Sequence, residues 1–82
     1  MRIYTFRVII EPDEKNTFHG YVPSLPGCHT WGESIEKTKK NLKEAIQCYV
    51  ESLIADKEPV PRETGLEFFE TISIKEMELA NK

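Results

Sequence analysis

From Arg2 to Glu11 apolar and polar residues alternate, with Tyr4, Phe6, Val8 and Ile10 on one side and Ile3, Thr5, Arg7 and Ile9 on the other. A period of two carried by β-branched and aromatic residues predicts a strand. Pro12-Asp13-Glu14-Lys15-Asn16-Thr17 reads as a turn, because proline presets φ and asparagine tolerates a left-handed backbone. A second, antiparallel strand is expected over Phe18 to Val22. Pro23-Ser24-Leu25-Pro26-Gly27 then breaks the ladder, since neither proline has an N–H to donate, and Cys28 to Gly32 resumes as a third short strand.

After Gly32 the period changes. Leu42, Ile46, Tyr49 and Leu53 lie within about 40° of Ile35 at 100° per residue, which predicts one amphipathic helix with Ser34 as its N-cap. It should run to about Asp56, roughly 34 Å, and stop before Pro59 and Pro61. Alternation returns from Leu66 to Ile74, with Phe68, Ile72 and Ile74 on one side and Phe69, Thr71 and Ser73 on the other, so a fourth strand is expected, followed by a frayed turn over Lys75 to Lys82. The fold class is α+β in the order β-β-β-α-β. A meander followed by a right-handed crossover seats the fourth strand on the free edge of the first, giving the sheet order 3-2-1-4 with the helix on one face. The other face would carry Ile3, Ile9 and Phe69, a surface suited to burial against another chain.

The chain has 82 residues, 39% of them hydrophobic and 30% charged, which fits one small domain over residues 1–82. A core of this size contributes no more than ~3 to 5 kcal/mol, so self-association as a homodimer or tetramer is expected. The longest aliphatic run, Val8-Ile9-Ile10, falls far short of the ~20 residues of a membrane-spanning helix. The net charge of −3 arises after residue 57, where Glu58, Glu63, Glu67, Glu70, Glu76 and Glu78 face Arg62, Lys75 and Lys82. That balance opposes a phosphate-binding role for this end of the chain. Cys28 and Cys48 have neither metal-pair spacing nor a disulfide framework, and Met1-Arg2-Ile3-Tyr4 leads straight into a strand pattern without a signal peptide. The reading is a cytoplasmic protein with free thiols.

Candidate chemistry is sparse. His19, Cys28 and His29 come from adjacent strands, but zinc needs three or four ligands in tetrahedral reach and Cys48 sits about 140° from the apolar stripe of the helix. Cys28 and His29 are consecutive in a strand and point to opposite faces, which disfavours a catalytic pair. No metal, cofactor or catalytic residue is therefore assigned. Cys28 is expected to pack as a small hydrophobe and the histidines to lie at the surface or an interface. Lys37, Lys39, Lys40 and Lys43 form the one basic cluster; Glu36, Lys40 and Glu44 make an i, i+4 ladder typical of a solvated helix face. Trp31 either caps the core or anchors an interface, as tryptophan often does.

The run from Gly20 to Ser34, with Gly20-Tyr21, Pro23-Ser24-Leu25-Pro26-Gly27-Cys28, and Gly32-Glu33-Ser34, resembles the HicB antitoxin family, as do Asn41, Glu44, Ala45 and Ile46 and the Pro59-Val60-Pro61 segment. The resemblance spans residues 3–61. It implies a truncated ribonuclease-H-like fold and a non-catalytic protein that neutralises HicA, a small mRNA-cleaving toxin, by covering its active face. The loop residues Pro23, Leu25, Pro26, Gly27, Cys28 and Gly32 would then be structural. Tyr21, His29, Trp31 and Phe69 are the candidate partner contacts. Glu58 stands where the family usually has glycine, and the helix start lacks the acid of a capping box. The family's C-terminal DNA-binding module has no counterpart after residue 61, so operon repression and DNA binding are not expected of this chain. The alternative reading is a nucleic-acid-binding module that uses Lys37, Lys39, Lys40 and Lys43.

Overall fold

Three strands form an antiparallel meander in the computed structural model, which describes residues 2–63, 65 and 69–75. Strand β1 spans Ile9–Asp13, β2 Thr17–Tyr21 and β3 His29–Gly32, in sheet order β1-β2-β3. Helix α1 follows over Ile35–Ala55 and lies across one face of the sheet.

The first strand differs from its expected bounds. Alternation alone predicts Arg2 to Glu11, yet the ladder runs from Ile9 to Asp13 and pairs Ile9 with Tyr21 and Asp13 with Thr17. A ladder extends only as far as its partner, and β2 ends at Tyr21, before the Pro23 break. Pro12 sits inside β1 opposite Phe18. An edge strand tolerates this, because one row of its backbone groups needs no partner. The turn is consequently shorter than predicted. Glu14–Asn16 form a single 3-10 turn in which Lys15 and Asn16 hold positive φ, and Thr17 closes it with an Oγ1–H donated to the Glu14 carbonyl at 2.6 Å.

Helix α1 begins where expected. Ser34 is extended at φ −147°, and its hydroxyl accepts the Lys37 N–H at 3.0 Å. Its end is set before the prolines: Glu58 N–H donates to the Leu53 carbonyl at 2.8 Å and Lys57 N–H to that of Ile54 at 3.1 Å, with Lys57 left-handed at φ 58°. This is a Schellman closure with lysine in the position glycine usually takes.

The buried stripe of α1 follows the expected one through Leu42, Ile46, Tyr49 and Leu53 and departs from it only at its start. Ile35 is 50% exposed, while Thr38 is fully buried beside Leu42 and Val50. The cause lies in the sheet beneath. Gly20 and Gly32 leave a floor without side chains, and Thr38 drops onto it. A Cβ on Gly32 would lie 2.6 Å from Thr38 Oγ1 and 2.7 Å from Thr38 N, and one on Gly20 would lie 3.0 Å from Thr38 Cγ2. The buried hydroxyl is satisfied by donating to the Ser34 carbonyl at 2.7 Å. The core proper consists of Val22, Leu25, Cys28, Leu42 and Val50, with Tyr4, Phe6, Ala45, Ile46, Tyr49 and Val60 packed around it.

The expected fourth strand, 66–74, lies partly outside the described residues, at 66–68. Residues 69–75 are described and join no ladder. Phe69 is 96%, Ile72 77% and Ile74 66% exposed, so the apolar side chains that would hold a strand in place stay largely uncovered. The predicted turn over Lys75 to Lys82 falls almost wholly outside the described residues.

Candidate partner-binding face

Alternation assigns each strand residue to one side of the sheet. Ile10, Gly20, Val22, Cys28 and Gly32 face α1; Glu11, His19, Tyr21, His29 and Trp31 face away from it. Cross-strand register then sets His19 opposite Trp31 on one side and Glu11 on the other, and Tyr21 opposite His29. Four rings meet on the uncovered face. His19 stacks on Tyr21 at 5.5 Å and on Trp31 at 4.8 Å between centroids, and His29 meets the edges of both His19 and Trp31 at 5.3 and 4.9 Å. His19 Nε2 and His29 Nδ1 are 3.3 Å apart, a hydrogen bond that needs a proton on one nitrogen and a lone pair on the other.

Trp31 is fixed from two sides. Its indole N–H donates to Asp13 Oδ2 at 2.7 Å, reaching across β2, and its carbonyl accepts Asn41 Nδ2–H at 2.9 Å from α1. The Asp13 carboxylate also accepts the Glu14 N–H at 2.8 Å. These two donors, the backbone one first, hold Asp13 below its ordinary value of 3.8. Trp31 remains 47% exposed, so it does not cap the core. A rigid, half-exposed tryptophan flanked by a tyrosine and two imidazoles is the composition of an interface anchor.

The Pro23–Pro26 loop borders this face. Leu25 N–H donates to Val22 O, Cys28 N–H to Leu25 O, and Val22 N–H to Cys28 O, all at 3.0 to 3.1 Å, so the loop closes on itself with Leu25 fully buried. Tyr49 Oη–H ties it to α1 through the Pro26 carbonyl at 2.9 Å. Gly27 has φ +83°, a conformation that residues with a Cβ avoid. An open hollow of about 490 Å³ runs from the rings to this loop. Pro23, Leu25, Pro26, Gly27, Cys28 and Gly32 thus form the turn and the helix seat behind the face.

Tyr21, His29 and Trp31 are brought together, whereas Phe69 lies in the unpaired segment, apart from them. His19, expected at the surface or an interface, joins the same cluster, as its period-two relation to Tyr21 already placed the two rings on one side. His19, Cys28 and His29 are divided by the sheet: Cys28 is buried under α1 and both imidazoles are on the far side. Burial pushes the Cys28 thiol up, away from the reactive thiolate. Among the described residues no three His, Cys, Asp or Glu side chains are placed to hold a metal ion. Lys37, Lys39, Lys40 and Lys43 are all exposed, but at 100° per residue they spread over about 160° of the helix and make no single stripe. Among the described residues no helix is long and apolar enough to cross a membrane.

Helix, meander and exposed ring cluster define a small α+β domain whose uncovered sheet face is its most distinctive surface. The profile of the HicB_like antitoxin of bacterial toxin-antitoxin systems matches residues 6–77, and the chain belongs to that family. It is 42% identical over 62 residues to a UPF0150 protein of Synechocystis sp., covering 76% of this chain and 78% of that one. A UPF0150 protein of Thermoplasma acidophilum is also 42% identical over 62 residues, with 76% and 90% covered. The crystal structure of the N-terminal domain of the Burkholderia pseudomallei antitoxin HicB aligns at a TM-score of 0.63 and 34% identity, covering 94% of this chain and 80% of that chain.

Proposed function

We propose that this protein is a non-catalytic cytoplasmic antitoxin that binds and neutralises a HicA-type mRNA-cleaving toxin, and that the face bearing His19, Tyr21, His29 and Trp31 makes the contact. The observation that carries the reading is the exposed ring cluster, with Trp31 held by hydrogen bonds to Asp13 on the same face and to Asn41 from the helix behind. Family membership supports it. Glu11 and Asp13 lie on the same side of the sheet, so a small basic partner would be steered toward this face. In the same proposal the chain works as a homodimer or tetramer, with the sheet completed to four strands in the order 3-2-1-4 of a truncated ribonuclease-H-like fold.

The test is co-expression with a short basic reading frame adjacent to the gene. The toxin should co-purify with the protein and its growth arrest should be relieved. Trp31→Ala should weaken the complex about 30-fold, the equivalent of the ~2 kcal/mol of a hot-spot residue. No co-purifying partner, or a Trp31→Ala chain that binds as tightly as the parent, would refute the proposal. A salt-sensitive mobility shift with RNA or DNA, lost on Lys37, Lys39, Lys40 and Lys43→Gln, would instead favour the nucleic-acid reading.

A further inference from the structure

Among the described residues one apolar segment and two adjoining apolar clefts are each left without a partner, and they match. Residues 69–75 carry Glu70, Ile72 and Ile74 at alternate positions, so an extended chain presents all three on one side. Among the described residues the outer edge of β1 has no partner strand, and residues 2–8 before it join no ladder. Between this edge and α1 lie two adjoining clefts of about 270 and 250 Å³ that share Ile46 and Lys43. Val8, Ile10 and Leu42 line the first and Tyr4, Phe6 and Val50 the second, with Lys39 and Lys43 on the helix beside them. A strand added to this edge with Glu70, Ile72 and Ile74 toward α1 would set isoleucines into the apolar clefts and a carboxylate near the lysines.

The segment does not reach its own clefts. Phe69, Ile72 and Ile74 stay mostly exposed, and the Cα radius of gyration is 17.8 Å against about 12 Å for a compact chain of this length. The root of the segment is nevertheless anchored beside the residues that precede β1. Glu63 accepts the Arg7 N–H at 3.1 Å and the Ser24 Oγ–H at 2.9 Å, and Arg62 stacks over the Tyr4 ring at 5.1 Å. Six residues from Glu63 to Phe69 span at most about 20 Å, enough to cross to a neighbouring copy whose β1 edge lies alongside.

We infer that the fourth strand forms in trans: residues 69–75 of each chain add to the β1 edge of a second copy, and the exchange is reciprocal about a two-fold axis. Two such additions are reciprocal, so each exposed segment and each β1 edge is used once. The exchange also covers an edge that would otherwise invite uncontrolled pairing. It rests on the self-association part of the proposed function and is independent of whether a toxin binds.

Sedimentation velocity on the full chain from 5 to 200 µM, together with isotope-filtered NOEs on a dimer mixed from ¹³C-labelled and unlabelled chains, tests the inference. The expected result is twice the monomer mass, with intermolecular NOEs from the Ile72 and Ile74 methyls to Val8, Ile10 and Ile46. Ile72→Asp with Ile74→Asp should sediment as a monomer with its helical circular dichroism retained. A dimer in which these NOEs are intramolecular or missing overturns the exchange and leaves self-association standing. A monomer at every concentration overturns both. Because the NOEs are read on the unmutated protein, the outcome does not depend on the variant folding.

Discussion

Replacing Gly32 by alanine should be the most damaging single-methyl change in the protein. The added Cβ would stand 2.6 Å from Thr38 Oγ1, 2.7 Å from Thr38 N and 2.9 Å from Thr38 Cα. Carbon needs roughly 3.5 Å of separation, so the first turn of α1 must move by about 0.8 Å. Rotating the Thr38 side chain cannot relieve the clash, because two of the three contacts are backbone. Displacing that turn also disturbs the Ser34 cap and the hydrogen bond from Thr38 Oγ1 to the Ser34 carbonyl. Overpacking costs ~1 to 3 kcal/mol, and a rigid backbone neighbour puts Gly32→Ala at the upper end. At ~4 to 8 °C per kcal/mol for a chain of this size, the midpoint should fall by about 12 °C or more. Thermal unfolding followed by circular dichroism at 222 nm measures it. Gly27→Ala is the control: its φ of +83° strains any Cβ, but nothing lies within 4 Å, so only the ~1 to 2 kcal/mol of the left-handed conformation is lost. Thr38→Ala should rescue Gly32→Ala only in part, since the contacts to N and Cα persist. A Gly32→Ala protein as stable as the parent, or more stable than Gly27→Ala, would refute the account of the helix seat.

Leu25→Ala removes a fully buried side chain from a loop closed by its own hydrogen bonds, and should cost ~2 to 5 kcal/mol in urea unfolding, leaving much of the population unfolded in water if the core is as thin as its size implies. Asp13 gives a pH signature through the single tryptophan. Its carboxyl is held below 3.8, so its contribution to stability is present above the unfolded value and is lost as the pH falls through the lower folded value. Trp31 emission should therefore change on acidification below about pH 4, and Asp13→Asn, which cannot lose a charge, should flatten that step; an unchanged step would show that Asp13 is not its source.

The elements visible in the chain were those whose signal is local. The 3.6-residue stripe and the Ser34 cap marked α1 almost to the residue, and Pro23, Pro26 and Gly27 marked the break between β2 and β3. Alternation also placed Cys28 and His29 on opposite faces of the sheet. The extent of β1 was not legible, because alternation from Arg2 onward says nothing about where the partner strand stops. Phe69 could not be separated from Tyr21, His29 and Trp31 for a similar reason: period two gives a side of a strand only once the strand has a sheet to join.

Local order along the chain, namely three short strands, a proline-broken loop and one long amphipathic helix, follows from side-chain period and backbone chemistry, which depend on neighbours a few residues apart. The choice of Thr38 rather than Ile35 as the foot of the helix depended on two glycines, at 20 and 32, becoming neighbours in the sheet. The ring cluster likewise depended on register: Tyr21 meets His29 and His19 meets Trp31 only after β2 and β3 align. Contacts between residues ten or more positions apart depend on the path of the whole chain. No local period encodes that path, so the ring cluster and the face that carries it were decided by the tertiary structure.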